Sequence, residues 1–492
     1  MTKYLTSLFL ALSVFAVKPV AAADLSTLIT LGDTTVMELS RIVATGLTTV
    51  YVETIDHEEP TCEYVYAPTG CMGATIRNAT KVPGRVTIYQ RINGMDSVLY
   101  DSGDYEKDVS GMTIKLRGNT SAFEAKKPYK IKLQKKQDLL FRGDESTYKD
   151  KDWLLLKDEY LFTTTGFKVS KLMGMTWVPG CRYVNVILNN DYKGVYLLCE
   201  SVKRNPDCRL NVDKNSGFIF ECDPYWWNED VYVNSITSPS YNFTFKYPES
   251  EDILPEQLEY MQDLVSRYEA SLTKSNYPTL IDVPSFAHWC LVHDLMGTKD
   301  SGGANRYYTK YDTTAESLIV MPVVWDFDMS ERMPSDWSRC HTSHMTKLFN
   351  NSNRTYVDAF AGRWYDVRAT LLSEITQFLN DFGSSPEAIA MQASFNLEKL
   401  VSGRQFNVAA DVSSRKSWFN SRFTWMNNKI KAMNPIGDVN VDSAVNIADV
   451  TDLISALMSG QVDYVNSADV NNDGAISIQD ITVLISLLMG QS

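Results

Sequence analysis

Histidine occurs five times in the 492 residues and no H-E-x-x-H pair is present, so a zinc hydrolase of that type is excluded. No G-x-S-x-G elbow occurs either, which removes the commonest serine-hydrolase layout. None of the eight cysteines is spaced C-x2-C, so the sequence gives a structural zinc site no support. Glycine (25) and proline (17) are too few for a collagen-like or low-complexity body. Beyond the N-terminus no apolar run reaches the ~18–20 residues of a membrane-crossing helix. Positive charge is in deficit: the formal net charge is −13. No broad basic surface exists to neutralise phosphates, and no nucleic-acid partner is expected. After Pro435 there is no Lys, Arg or Glu at all, yet there are eight Asp.

What remains is a chain long enough for two to four domains, 44% hydrophobic and 22% charged. Residues 1–23 read as an export leader. Lys3 gives a basic start, Leu5 to Val17 an apolar stretch, and Ala21-Ala22-Ala23 a cleavage site before Asp24. A secreted or cell-surface protein follows, and losing Lys3 and Lys18 would leave a charge of −15. An even cysteine count in an exported chain suggests disulfides, with Cys62–Cys71 and Cys208–Cys222 the closest pairs in view.

Period-two alternation marks strands at Thr48–Glu53, Arg85–Tyr89, Met112–Leu116, Tyr183–Leu188 and Val195–Glu200. From about 252 the period becomes helical: Leu258, Met261, Leu264, Val265 and Tyr268, then Ser285–Met296, and most of 364–432. The class is therefore α+β, with a main domain at 24–434. Its sheet-rich part spans about 48–250 and its helix-rich part about 252–432. The tail, 437–492, is separate in kind. It repeats at an offset of 31 residues, and Asn446–Met458 agrees with Ser477–Met489 at eight of thirteen positions.

Each repeat opens with an acidic loop. Asp438, Asn440, Asp442, the Ala444 carbonyl, Asn446 and Asp449 fall at positions 1, 3, 5, 7, 9 and 12. Asp469, Asn471, Asp473, the Ala475 carbonyl, Ser477 and Asp480 do the same in the second. Calcium takes six to eight hard oxygens, and this spacing wraps one loop around one ion. Gly474 suits the positive φ needed at position 6, whereas Ser443 stands there in the first loop. Both loops end in Asp rather than Glu, and each feeds an apolar helix. The pair closely resembles a type I dockerin, a small all-α calcium-loop module. That resemblance implies docking onto a cohesin-bearing scaffold, commonly a polysaccharide-degrading complex such as a cellulosome.

A second constellation comprises Asp300, Asn305, Asp326 and Asp328. Arg306–Tyr311 and Leu318–Trp325 read as two strands joined by 312–317. If they pair as a hairpin, the residues before the first and after the second share one end. Four oxygen-bearing side chains then converge, a setting for Mg²⁺ or Mn²⁺ completed by phosphate oxygens. An Asp, an Asn five residues on, a hairpin and then Asp-Phe is the layout of protein-kinase catalytic and metal loops. On that plan Asp300 is the base and Asn305 and Asp326 are ligands, with Asp328 a second ligand or a structural acceptor.

Upstream, Arg117-Gly118-Asn119-Thr120-Ser121 forms a hairpin tip, and Tyr129–Leu133 alternates so that Lys130 and Lys132 share a face. Arg117, Lys130 and Lys132 can point into one cleft, where backbone N–H groups at the Gly tip approach phosphates. Together with Lys126–Leu133, Trp153–Leu156, Gly194–Glu200, Ile281–Phe286 and Pro322–Asp328, these segments resemble the spore-coat CotH kinase family over about 48–430. The resemblance implies an atypical protein-kinase-like domain using ATP and Mg²⁺ or Mn²⁺ to phosphorylate a protein hydroxyl. It also implies Glu200 as the acidic partner of a phosphate-binding Lys. One departure stands out: after Trp153–Leu156 the family carries an Asp and then Arg-Asn entering a helix, and over Asp158–Lys168 the Arg is missing. Two other classes stay open at this point. One is a pseudokinase or structural component. The other is a glycoside hydrolase using Asp300 or Glu200 with Asp326, and Trp226-Trp227 as a sugar platform.

Overall fold

The computed structural model describes residues 25–490 except 144–146, 159, 239, 304, 343, 434–435, 441–443, 461–465 and 472. The expected leader, Asp442 and Ser443 lie outside the described residues.

The sheet-rich half begins with β1 (Leu28–Leu31), β2 (Thr35–Glu38) and a short helix α1 (Leu39–Val43). β3 (Thr49–Thr54) and a small hairpin of β4 (Glu63–Tyr66) and β5 (Ala74–Arg77) follow. Next come β6 (Val82–Ile92), β7 (Met95–Asp101), β8 (Met112–Leu116), β9 (Tyr129–Gln137) and β10 (Asp150–Leu156). After helix α2 (Phe162–Leu172), β11 (Cys181–Leu188) and β12 (Asp191–Glu200) complete the set. The strand order is β10-β9-β8-β6-β3-β11-β12, and β12 pairs back onto β10, closing a barrel. Alternation decides what lies inside. Met112, Ile114 and Leu116 of β8 and Tyr129, Ile131 and Leu133 of β9 are buried, while Thr113, Lys115, Lys130 and Lys132 face out. Trp153, Val184, Val186 and Leu198 fill the same interior.

A second sheet comprises β13 (Phe218–Asp223), β14 (Tyr232–Val233), β15 (Asn242–Tyr247), β16 (Arg306–Lys310) and β17 (Ile319–Val320), and its buried side chains share one core with the helices. The expected hairpin is present: Thr309 pairs with Val320 and Lys310 with Ile319. Its second strand is shorter than the sequence suggests, because Met321–Trp325 runs on without a ladder partner.

The helices are α3 (Pro255–Ser271), α4 (Val283–Met296), α5 (His344–Phe349), α6 (Thr355–Gly383), α7 (Pro386–Ser402) and α8 (Val408–Met433). Helix α4 is apolar on almost every side and runs through the core, as a fully enclosed helix must. Asp282 caps its start by accepting from the Ser285 N–H at 2.9 Å, Pro284 sits in its first turn, and Gly297 ends it at φ +62. In the tail, α9 (Ile447–Ser459) and α10 (Ile478–Met489) pack over Val439, Val450, Leu453, Ala468, Val470 and Leu484. No helix among the described residues is long and apolar enough to cross a membrane.

Helix α7 is tied to the barrel by one buried carboxylate. Glu398, 3% exposed, accepts from the Val195 N–H at 2.7 Å and from Lys126 Nζ at 2.7 Å. Removing one partner of such a pair leaves the other charge uncompensated, so Glu398→Ala should lower unfolding stability by about 3 kcal/mol. Urea denaturation checks this, and a change below the error of the extrapolation would show that the tie is dispensable.

Candidate functional site

The hairpin geometry brings the acid cluster together. Carboxylate oxygens of Asp300, Asp326 and Asp328 lie within 4.8 Å of one another. The Asn305 amide donates to Asp326 Oδ2 at 3.1 Å. Both Asn305 (φ +62) and Asp326 (φ +69) adopt left-handed backbone, which costs an L-residue roughly 1–2 kcal/mol and is held only where surroundings impose it.

Those surroundings are visible. Phe327, between the two acids, is fully buried and lies edge-on to Phe167 at 5.8 Å. A Cβ on Gly166 of α2 would come within 2.5 Å of the Phe327 ring, so only glycine admits it. At the end of α4, the Gly297 N–H donates to Asp294 and the Thr298 N–H to His293. The chain is then laced to the segment after Asp328: Lys299 N–H to Met329 at 3.1 Å, Glu331 N–H to Met296 at 2.8 Å, and Arg332 N–H to Gly297 at 3.0 Å. Asp300 and the Asp326–Asp328 turn are thus parts of one hydrogen-bonded unit.

Charge is concentrated there. Burial, then Asp326, pushes Asp300 up to about 7. Repulsion from Asp326, then burial and Asp300, pushes Asp328 up to about 8, partly offset by Lys157. Asp328 opens to solvent, which screens part of that repulsion. Asp300 and Asp328 each feel the other's charge, so the two titrate together rather than singly. A cavity of about 400 Å³ adjoins Asp300 and is lined also by Tyr225, Tyr241, Lys299 and Arg339.

The glycine tip is linked to the cavity wall through Tyr225. Gly118 has φ +89, and the tip is pinned where Asn119 Oδ1 accepts from the Thr75 hydroxyl at 2.6 Å. The Tyr225 phenol, raised by burial, bonds Thr120 of this tip and senses Asp223, Asp326 and Asp300. Lys157, at the end of β10, pairs with Glu124 just past the tip and lies near Asp328. Neither Lys157 nor Tyr225 was singled out by sequence. The only signal for Lys157 is its position directly after the buried run Trp153–Leu156.

The remaining candidates divide. Register sets Lys115 opposite Lys130 and Thr113 opposite Lys132, so with Arg117 they share the outer face of β8–β9. Lys130 already pairs with Asp152 at 2.9 Å. Burial would raise Asp152, but Lys130 and Lys203 overcome that and hold it low. The Glu200 expectation needs correction. Its carboxylate takes Arg142 Nη2 at 2.8 Å and the Gly180 N–H at 2.7 Å, so its partner is an arginine. The reason is register: Glu200 ends β12 opposite Trp153, in the middle of β10, with Lys157 past that strand's end. The paired tryptophans are held by protein contacts. The Trp227 indole donates to the Met72 carbonyl and Trp226 packs on Tyr232 at 4.8 Å. All eight cysteines are free. Cys222 is buried against Arg306, whose Nη2 donates to its sulfur at 2.9 Å, so the Cys208–Cys222 bridge is not made.

In the tail, Asp438, Asp449 and Asp480 are fully buried. Asp449 accepts from the N–H groups of Val439, Asn440 and Asn446, and Asp480 from those of Asn471 and Ser477. The Asp473 and Gly474 N–H groups donate to Asp469, with Gly474 at φ +84. Asn446 and Ser477 cap the helices that follow. These bonds turn an all-oxygen donor set inward, which suits a hard cation.

Fold and site define a mixed α+β protein with a convergent acid centre and a calcium-loop module. Residues 114–374 match the family model of the CotH kinase protein, and residues 436–489 match that of the dockerin type I domain. The chain belongs to the CotH kinase family and carries a C-terminal dockerin, which implies calcium binding and assembly onto a cohesin-bearing complex. No curated protein matches it.

The raised acids set a pH dependence. Their folded pKa values lie above the ~3.9 of an unfolded Asp, so the folded chain keeps protons that the unfolded chain has lost. Stability therefore falls as pH rises from about 4 to about 8. Without divalent cation the melting temperature should drop across that window. Asp328→Asn should flatten the drop, and Mg²⁺ or Mn²⁺ should reverse it at the alkaline end. A pH-independent melting curve would show that the three carboxylates do not interact.

Proposed function

We propose that the chain is an ATP- and metal-dependent kinase that phosphorylates a hydroxyl on a protein acceptor, carried outside the cell on a cohesin-bearing scaffold. The observation that supports this most is the meeting of Asp300, Asn305, Asp326 and Asp328 at one hairpin end, linked through Tyr225 to the Gly118 tip. Asn305, Asp326 and Asp328 would hold Mg²⁺ or Mn²⁺, whose charge would offset that on the transferred phosphoryl group. Asp300, lining the cavity, accepts the acceptor's hydroxyl proton, a role that its raised affinity for protons suits. Arg117, the Gly118–Asn119 backbone, Lys130 and Lys132 make the phosphate-facing side. Lys157, braced by Glu124, adds a cation near Asp328. Asn305, bonded to Asp326, supports this reading over glycoside hydrolysis, whose carboxylate pair has no use for it.

The tail supports the scaffold half. Ile447, Ile454 and Met458 are exposed on α9, and Ile478, Ile485 and Met489 repeat them 31 residues later on α10. Duplicated apolar side chains of this kind are a surface for a protein partner.

Transfer of labelled phosphate from ATP tests the kinase half on the chain from residue 24. Metal-dependent labelling should vanish in Asp326→Ala. Asp300→Asn should slow transfer by about 10²–10⁴-fold while a thermal shift with ATP persists. ATP binding without transfer to any offered protein would leave a pseudokinase, and neither binding nor transfer would sink the reading. For the tail, calcium chelation or Asp480→Ala should abolish cohesin capture, and capture that survives both would refute calcium-dependent docking.

A further inference from the structure

A second set of ligand atoms lies just behind the Asp300 loop. Helix α4 carries Cys290 and Asp294 four residues apart, hence on one face, and both are fully buried. The turn Arg339–His341 brings Cys340 and His341 against them. The two sulfurs are 3.0 Å apart. Asp294 oxygens lie 4.0 Å from Cys290 Sγ and 3.8 Å from Cys340 Sγ, and 2.6 Å from His341 Nε2. One atom from each of the four residues lies within 4.8 Å of every other.

We propose that Cys290, Asp294, Cys340 and His341 form a closed structural site for one zinc ion. Two sulfurs, one imidazole and one carboxylate make a four-ligand set for a borderline-soft cation, and they are a poor set for calcium or magnesium. With zinc–ligand distances of about 2.0–2.3 Å, tetrahedral ligands sit roughly 3.3–3.8 Å apart. The sulfurs need only separate slightly to reach that. The outer contacts are already in place. Asp294 Oδ1 accepts the Ser338 N–H at 2.9 Å and its hydroxyl at 2.8 Å, which leaves Oδ2 for the ion. The His341 ring is stacked between Trp337 at 4.7 Å and Phe349 at 4.3 Å, which fixes its plane. Two thiolates and a carboxylate on Zn²⁺ leave one negative charge. The Arg422 guanidinium, donating to the Asp294 carbonyl at 2.6 Å, stands beside it to offset that charge.

Binding releases the two thiol protons and the proton shared by His341 and Asp294, with no change of oxidation state. A disulfide between the cysteines would use the sulfurs alone. It would give no reason for a carboxylate and an imidazole to converge on the same point. The site would brace the loop that carries Asp300, because the Arg339 N–H donates to the Thr298 carbonyl at 3.2 Å.

The test is elemental analysis of the full chain, purified without chelator or added reductant. It should carry about one zinc per chain, apart from any calcium. Zinc should be lost in Cys340→Ser and in His341→Ala, and retained in Asp326→Ala and Cys62→Ser. Cobalt-exchanged protein should show thiolate-to-cobalt charge-transfer absorption that Cys340→Ser removes. If Cys340→Ser fails to fold, the zinc content of His341→Ala and the cobalt spectrum of the unaltered chain still decide the matter. Three results would overturn the proposal: no stoichiometric zinc in the unaltered chain, peptides joined by a Cys290–Cys340 disulfide, or zinc that persists in either ligand variant.

Discussion

Three carboxylates held within 4.8 Å of one another repel, and a large part of this chain exists to keep them there. A pair of unit charges at that separation costs about 3–4 kcal/mol at an effective dielectric near 20, and less where solvent reaches Asp328. Left-handed backbone at Asn305 and Asp326 adds to the cost. What offsets it is packing on both sides of the turn. Phe327 is locked into a slot that only glycine at 166 leaves open, and α4 delivers the Asp300 loop from the middle of the core. Such strain is tolerable only in a rigid frame, and here the frame is a barrel on one side and a helical core on the other.

The frame was legible because its pattern is local. Alternation in Met112–Leu116 and Tyr129–Leu133 states which side chains enter the barrel, and the structure follows it residue for residue. The helical period over Ser285–Met296 marks α4, although the cap at Asp282 and the stop at Gly297 come from the structure. The convergence of Asp300, Asn305, Asp326 and Asp328 was legible for one reason: a hairpin fixes the relation of its two ends. The strand that closes the hairpin is shorter than its apolar run suggests, since residues 321–325 are buried without joining a ladder.

Much of what the sequence hid depends on the closure of the barrel. The family resemblance implies a lysine partner for Glu200, and alternation says nothing about which strand lies alongside β12. β12 turns out to pair with β10, and Arg142 on the loop between β9 and β10 reaches Glu200. Lys157 near Asp328 is hidden for the same reason. The Cys290, Asp294, Cys340 and His341 group, on α4 and the turn at 339–341, is hidden for a different reason. Its members lie 50 residues apart in two pairs, with none of the short spacings by which metal sites announce themselves.

The two oxygen-rich sites therefore differ in how they are built, and the difference is physical. In each calcium loop the candidate ligands fall within twelve consecutive residues, and a helix cap ends the loop. Such a loop can be duplicated as a unit, and the 31-residue repeat shows that it has been. The acid centre draws on the end of α4, the start of β16 and the turn after β17. Its geometry exists only once a barrel, a second sheet and a core helix have assembled around it, at the cost of many long-range contacts. A change inside a calcium loop acts first on that loop and the helix it caps. A change in the slot that holds Phe327 acts on three charges at once, because the same packing sets their separation.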